Sequence, residues 1–146
     1  MKLINEVLSV NPDLNYLKNV DIYFFHFRGV KKLIGITLPF FDKIFLLGNF
    51  HRPTTVFVIA HELEHKNFQY KNGLLKTIYT LLFNRSLIEK RAVERGLMTL
   101  QRLSFKYEYR SYLEWVLEKI KSYKISKNPL KKLFYEIYYK DLKSEF

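Results

Sequence analysis

Two histidines and a glutamate stand at helical spacing in residues 56–70, which read VFVIAHELEHKNFQY. Positions i and i+4 of a helix lie on the same face, so His61 and His65 can present two imidazole nitrogens to one metal ion. Glu62 projects nearby, where its carboxylate could take a proton from a zinc-bound water as a general base. A catalytic zinc usually has three protein ligands, so the spacing predicts a zinc site that still lacks one ligand.

The composition limits which groups could complete that site. The 146 residues include no cysteine, which excludes thiolate zinc sites and disulfides and leaves His, Asp and Glu as the strong candidate ligands. The alternative interpretation of the histidine pair is a surface helix that is rich in ionisable residues. The apolar residues 56–60 argue against it, because they indicate a helix that is buried just before His61, and buried histidines need partners.

The candidates for the third ligand are two carboxylates in the next long helix, Glu89 and Glu94. Five residues separate them by about 140° around a helix, so they cannot both face one metal ion. Ala92 lies on nearly the same face as Glu89, and a small residue there would let two helices approach closely. Glu89 has a second interpretation, because Ser86 and Glu89 match the capping box, in which the glutamate bonds back to the start of its own helix. From the residues alone, both interpretations stay open.

The sequence pattern predicts one domain of the α+β class, in which a small mixed sheet precedes a series of helices that position these residues. Residues 1–50 are predicted to be sheet-rich, residues 51–104 to carry the zinc-binding helices, and residues 105–146 to form a helical C-terminal extension. Aromatic and β-branched residues predict strands at 20–27, 33–38 and 43–47, after one or two helices within 3–19. Asn72-Gly73 closes the helix of residues 56–70, and further helices are expected at 74–84, 86–103, 107–123 and, opened by Asn128-Pro129, 129–143.

Residues 89–97, EKRAVERGL, are similar to the pattern E-x-x-A-D-x-x-G-L of integral-membrane metallopeptidases, a group that includes CAAX-type, heat-shock and antibiotic-sensor proteases. Together with the HELEH sequence, this segment resembles a zincin metallopeptidase of the gluzincin type. Residues 36–39 and the strand at 44–47 also resemble the edge-strand region of that group. Because the membrane spans are missing, the chain most resembles the soluble minimal versions of these catalytic domains, the minigluzincins, over roughly residues 33–100.

The resemblance implies a zincin-like domain that holds one zinc ion through His61, His65 and Glu89, and it favours Glu89 as a ligand over its capping role. Glu62 would act as base and acid in the hydrolysis of peptide bonds. A peptide or protein substrate would lie extended along the strand near residues 44–49 and bind mainly through its backbone. The substrate-binding residues implied in this way are Ile44, Leu46, Gly48 and Asn49.

The chain departs from the family pattern at three positions. Val93 replaces an Asp that would orient a ligand histidine, and Glu64 and Lys66 are charged where zincin helices usually carry uncharged residues. No motif identifies an oxyanion stabiliser, and the candidates by chemistry alone are His51, Tyr107, Tyr109, Arg110 and Tyr112. Part of residues 124–146 could also occupy the cleft and keep the enzyme latent like a zymogen, since Asp141, Glu145 and the C-terminus offer carboxylates to zinc.

The net charge of +11 suggests an acidic partner, either nucleic acid or a membrane surface. The excess is spread along the chain, at +2 in residues 1–50, +4 in 51–100 and +5 in 101–146, which favours a solvated basic exterior. The first residues do not resemble a signal peptide and no apolar stretch is long enough to span a bilayer, so we expect a soluble, cytoplasmic protein. Two functions compete with a zinc metallopeptidase: a nucleic-acid-associated protein in which charge guides a protease, and a metal-binding scaffold with weak catalysis.

Overall fold

A three-stranded sheet near the N-terminus is followed by long helices in the computed structural model, which describes residues 2–27, 29, 32–39 and 41–139. The strands are β1 (Asp21–His26), β2 (Ile34–Thr37) and β3 (Lys43–Gly48). The helices are α1 (Lys2–Ser9), α2 (Arg52–Phe83), α3 (Arg85–Arg102), α4 (Lys106–Lys124) and α5 (Pro129–Phe134), with a 3-10 helix at Pro12–Leu17 and a π-helix at Tyr135–Tyr139. The predicted α+β class is confirmed.

The chain divides into two compact units, Met1–Phe105 and Lys106–Phe146. The division falls at the predicted start of the helical C-terminal extension. The first unit contains the three strands and every predicted zinc ligand. Its zincin-like character stays a prediction.

The sheet is mixed, as predicted, and its strand order is β1-β3-β2. Strand β3 lies in the centre, parallel to β1 and antiparallel to β2. Alternate residues of β3 point into the core, where Ile44 and Leu46 are fully buried. Gly48 ends the strand with a φ of 132°, and the backbone carbonyl of Lys32 lies so close that a side chain at this position would overlap it.

Helix α2 begins after His51, with Pro53 in its first turn, and is broken at Gly73. Gly73 has a φ of 76° and a ψ of 170°, which no helix contains and which glycine adopts readily. The predicted helix end at Asn72-Gly73 is therefore confirmed, and residues 74–83 form a separate helical segment. Before the break, most of the apolar residues that precede His61 are buried, as predicted.

Helices α2 and α3 approach each other closely. A Cβ atom on Gly96 would lie 2.6 Å from Cε2 of Phe57 in α2, so a side chain at this position would overlap the Phe57 ring. Ala92, one turn earlier in α3, is fully buried. The close approach that Ala92 predicts is confirmed, and it brings Glu89 of α3 against the histidines of α2.

In the second unit, the buried residues of α4 are Leu113, Val116, Leu117 and Ile120. Asn128 caps α5 by accepting a hydrogen bond from the Leu130 amide at 3.0 Å, as the Asn128-Pro129 pair predicts. Asp141, Glu145 and the C-terminus lie outside the described residues, so the latency of the enzyme stays a prediction. Among the described helices, none combines the length and the apolar character that crossing a bilayer requires.

Candidate metal centre

The side chains of His61, His65 and Glu89 converge in an open cleft of about 360 Å³. Nε2 of His61 and Nε2 of His65 lie 3.2 Å apart, and each lies 3.4 Å from an oxygen of the Glu89 carboxylate. Two consecutive turns of α2 supply the histidines, and α3 supplies the glutamate across the close contact between the helices. The structure therefore brings the three predicted ligands together.

The distances within this cluster match those between the ligands of a tetrahedral zinc ion. Two ligand atoms about 2.0–2.1 Å from a zinc ion at the tetrahedral angle lie ~3.3–3.4 Å from each other. Two imidazoles and one carboxylate, with a fourth position open, are also a donor set that catalytic zinc sites use. The residues present fit a zinc ion.

The position of Glu89 decides between its two interpretations. Helix α3 begins at Arg85, directly after Asn84, so Ser86 does not occupy the cap position. The Glu89 carboxylate contacts the two histidines. The capping-box interpretation is therefore wrong. Glu94 is not part of the cluster, as its angular separation from Glu89 requires.

Electrostatic interactions within the cluster favour an ionised glutamate. Burial alone would raise the pKa of Glu89, but the hydrogen bonds and charges of His61 and His65 outweigh it and hold the pKa well below its usual range. Burial would lower the pKa of His65, but its hydrogen bond with Glu89 and the charges of Glu62 and Glu89 raise that pKa overall. A cluster with this charge attracts a cation, so a proton and a metal ion would compete for it.

Glu62 lies on the wall of the same cleft and is only 5% exposed. Its Oε2 accepts a short hydrogen bond from the hydroxyl of Thr37 in β2. A Cβ atom on Gly35 would lie 2.5 Å from Oε1 of Glu62, so the absence of a side chain at Gly35 makes room for the carboxylate. Gly35 and Thr37 are two residues apart and share one face of β2, so this face of the strand contacts the Glu62 carboxylate.

Three residues that were not predicted also line the cleft: Gly35, Thr37 and Arg85. Arg85 lies one turn before Glu89 in α3, and its positive charge acts on His65. The i, i+4 spacing of Arg85 and Glu89 is the sequence signal that could have placed Arg85 here. For Gly35 and Thr37 there is no such signal, because their role depends on how a short strand packs against a distant helix.

The substrate contacts predicted on β3 are wrong. Strand β3 lies between β1 and β2, so it has no free edge with which an extended peptide could pair. The side chains of Ile44 and Leu46 are fully buried in the core. Gly48 is packed against the backbone of Lys32, and Asn49 does not line the cleft.

The strand that lines the cleft is β2. It contributes Gly35, Ile36 and Thr37 to the wall, beside Glu62. Its second edge pairs with no other strand in the described part of the chain. The edge strand beside the predicted general base is therefore β2, which is shorter than β3 and precedes it in the chain.

The predicted oxyanion stabilisers do not reach the cluster within the first unit. His51 precedes α2 and lies ten residues before His61, about 15 Å along the helix axis, so this prediction is wrong. The other candidates lie in α4 of the second unit, where their role stays a prediction: Tyr107, Tyr109, Arg110 and Tyr112. Arg85 lines the cleft and has the positive charge that the role requires.

Glu64, the first unusual charge in α2, is buried and paired. Its Oε2 accepts a hydrogen bond from Nε of Arg95 in α3 at 2.9 Å. Arg95 also donates two hydrogen bonds to Asp13, at 3.0 and 2.6 Å, and one to Asn11 at 3.1 Å. This network ties α2 and α3 to the N-terminal segment, so the charge of Glu64 has a structural role.

Lys66, the second unusual charge, is only 1% exposed. Its ammonium donates a hydrogen bond to the backbone carbonyl of Leu38 at 2.8 Å and another to that of Phe41. Burial lowers the pKa of Lys66, and the nearby charge of Asp42 acts in the opposite direction. The side chain ties the connection between β2 and β3 to α2, which is the helix of the predicted zinc ligands.

Nδ1 of His61 is, within the described part of the chain, the buried side-chain polar atom that has no hydrogen-bond partner. A histidine that binds a metal through one ring nitrogen usually donates a hydrogen bond from the other. Val93 lies one turn after Glu89 on the same face of α3, where the family pattern has an Asp. An apolar side chain at this position cannot accept a hydrogen bond.

Comparisons with known protein families, with curated proteins and with solved structures find no match for this chain. The motifs and the geometry of the cluster are therefore what indicate its function.

Proposed function

We propose that this chain is a zinc-dependent metallopeptidase of the gluzincin type, with a zincin-like first unit. The observation that carries the proposal is the convergence of His61, His65 and Glu89 at tetrahedral spacing, with Glu62 on the wall of the same cleft. An ordinary ion pair would explain a contact between a histidine and a carboxylate. A shared metal ion also explains why two imidazole nitrogens face each other at the same point.

The chain's own residues have distinct roles in the proposed hydrolysis. A zinc ion held by the three ligands would supply Lewis acidity to a peptide carbonyl and lower the pKa of water. Glu62 accepts a proton from the attacking water and passes it to the leaving amine. Thr37 fixes the Glu62 carboxylate through its hydrogen bond. Arg85 stabilises the negative charge that develops on the carbonyl oxygen.

The substrate class that we propose is an extended polypeptide segment that pairs with the free edge of β2. A peptide added to an edge strand forms backbone hydrogen bonds whatever its side chains are. Because β2 also carries Thr37, a peptide bound there would lie beside Glu62. Unfolded proteins are therefore the substrates with which to begin.

Metal analysis and cleavage of an unfolded protein test the proposal on the same purified chain. We expect about one zinc ion per wild-type chain. Glu62→Gln should retain zinc and reduce cleavage by about 10²–10⁴-fold, because only the proton transfer is removed. Glu89→Ala should lose both zinc and cleavage, whereas the control Glu94→Ala should keep both. Zinc that remains bound in Glu89→Ala, or cleavage that is unchanged in Glu62→Gln, would contradict the proposal.

A metal-binding scaffold without catalysis is the second candidate function. The specific observation in its favour is Nδ1 of His61, whose lack of an acceptor leaves a predicted ligand poorly oriented. This function predicts one zinc ion per chain, its loss in Glu89→Ala, and no difference in cleavage between the wild type and Glu62→Gln. The same two measurements therefore distinguish the enzyme from the scaffold.

A further inference from the structure

The part of α2 after the break at Gly73, residues 74–83, buries polar residues and exposes apolar ones. Thr77 and Thr80 are 1% and 6% exposed, and their hydroxyls donate hydrogen bonds to carbonyls of their own helix at 2.7 Å. The apolar face of this segment consists of large side chains that are 62–84% exposed: Leu75, Tyr79, Leu82 and Phe83. Packing inside the protein does not explain this arrangement, because a surface helix normally turns its apolar residues toward the core.

The apolar face is continuous. Its residues follow the spacing i, i+4, i+7 and i+8, which forms one stripe along a helix. The rings of Tyr79 and Phe83 lie 4.9 Å apart and connect two turns. Soluble proteins rarely expose an apolar stripe of this kind unless it contacts a partner or a membrane.

The charge around the apolar face indicates the kind of partner. Residues 66–88 contain no Asp or Glu, and Lys71, Lys76 and Arg85 are exposed there. A second copy of the chain that bound through the same face would bring these cations opposite their own equivalents, which is unfavourable. An anionic bilayer offers negative headgroups to the cations and an apolar boundary to Leu75, Leu82 and Phe83.

We propose that the apolar face of residues 74–83 docks on an anionic membrane surface, where the helix lies along the headgroup region. Lys71 and Lys76 would contact the headgroups, and Tyr79 would place its ring at the interface, as aromatic residues commonly do. Thr77 and Leu81 of the same segment line the cleft. Docking would therefore hold the cleft beside the membrane. The proposal does not depend on whether the chain cleaves peptides.

Binding of the full-length protein to vesicles tests the apolar contribution. We expect sedimentation with phosphatidylcholine vesicles that contain about a third phosphatidylglycerol, and little sedimentation with phosphatidylcholine alone. Leu75→Gln/Leu82→Gln should weaken binding to the anionic vesicles by about tenfold or more, because apolar surface no longer enters the boundary. Ile125→Gln is the matched control, since Ile125 is 85% exposed in another part of the chain and should not affect binding.

The contribution of charge has its own pair of variants. Lys71→Gln/Lys76→Gln should weaken binding to the anionic vesicles by about tenfold and reduce its dependence on salt. Lys18→Gln/Lys127→Gln removes the same charge from two exposed positions that do not belong to the proposed surface, and it should change binding by less than about twofold. Equal effects of the two pairs would overturn the proposed surface.

A labelled cysteine gives a readout that does not depend on removing apolar surface at several positions. Because the chain has no native cysteine, Leu75→Cys can carry an environment-sensitive fluorophore at a single place. We expect its emission to shift to the blue on anionic vesicles, while the same label at Ile125→Cys does not respond. An unshifted label at position 75 would overturn the proposal.

Three other results would also overturn it. A dimer that dissociates in Leu75→Gln/Leu82→Gln would show that a second copy covers the face. A loss of folding in both Leu75→Gln/Leu82→Gln and Leu75→Cys would show that the chain itself covers it. Binding to duplex DNA that needs Lys71 and Lys76 but not the leucines, without binding to vesicles, would assign the cations to nucleic acid.

Discussion

Two sets of largely buried polar residues lie within one stretch of α2, and they differ in which partners their polar atoms have. The anchoring residues, Glu64 and Lys66, form hydrogen bonds and an ion pair with partners that the protein supplies. The candidate metal ligands, His61 and His65, meet each other and Glu89 at a point in the cleft. Buried polarity therefore does not by itself identify a functional site. The distinguishing feature is whether polar atoms are satisfied inside the protein or converge on space that a ligand can fill.

Because the protein itself supplies the partners of the anchoring residues, we expect that removing one of these partners mainly affects stability. Arg95→Leu leaves the buried Glu64 carboxylate without its cation and should lower the free energy of unfolding by about 3–5 kcal/mol. Urea unfolding in the presence of a chelator measures this effect without a contribution from bound metal. Arg52→Leu is the control, because the Arg52–Glu6 pair is far more exposed and should contribute less than about 1 kcal/mol. Equal losses in the two variants would contradict the anchoring role.

A single substitution in α3 should strengthen zinc binding at the candidate metal site. Val93→Asp places a carboxylate one turn after Glu89, and we expect it to accept a hydrogen bond from a candidate histidine ligand and to raise the affinity for zinc by about 10–100-fold. Competition with a chelator of known affinity measures the change. Val93→Asn is the control, since a neutral amide is a weaker acceptor and should have a smaller effect. An unchanged affinity in Val93→Asp would show that position 93 does not support His61.

Thr37 links the sheet to the proposed general base, and its removal should affect turnover more than binding. Thr37→Val keeps the shape of the side chain but removes the donor to Glu62, so kcat should fall by about tenfold. Zinc content and KM should stay close to those of the wild type. Thr37→Ser retains the hydroxyl and should recover most of the activity. A loss of zinc in Thr37→Val, or no recovery in Thr37→Ser, would mean that Thr37 acts on the fold and not on Glu62.

The smallest expected effect concerns the dependence of stability on pH near Asp13. Burial acts to raise the pKa of Asp13, but the hydrogen bonds and charge of Arg95 outweigh it and lower the pKa below 3.8. The contribution of this pair is therefore fully present above pH 3.8 and is lost as the pH falls through the lower pKa of the folded state. In urea unfolding experiments, Asp13→Asn should make the free energy of unfolding fall less steeply at acid pH. The same variant should lower the free energy of unfolding by less than about 1 kcal/mol near neutral pH. If the free energy of unfolding of Asp13→Asn falls with acid pH as steeply as that of the wild type, another carboxyl group is responsible for the dependence.

The sequence predicts much of the local structure of this protein. The spacing of His61, Glu62 and His65, the helix break at Gly73 and the cap at Asn128 all agree with the structure. These features depend on residues within a turn or two of each other, so the pattern contains the information that determines them. The three strands were also predictable, because their aromatic and β-branched composition is a local property.

Tertiary structure alone decided how these elements combine. The order of the strands put β3 in the centre, so that an extended substrate cannot pair with it as predicted, and β2 is the strand beside Glu62. The residues alone left Glu89 between a ligand and a helix cap, and its place in the cluster depended on the close packing of α3 against α2 at Gly96 and Phe57. The partners of Glu64 and Lys66 also come from distant segments. The exposure of Leu75 and its neighbours depends on which face of their helix the rest of the protein covers. The physical reason is common to all four: each depends on which surfaces meet when the chain folds, and helical or strand spacing describes only the surface that one element presents.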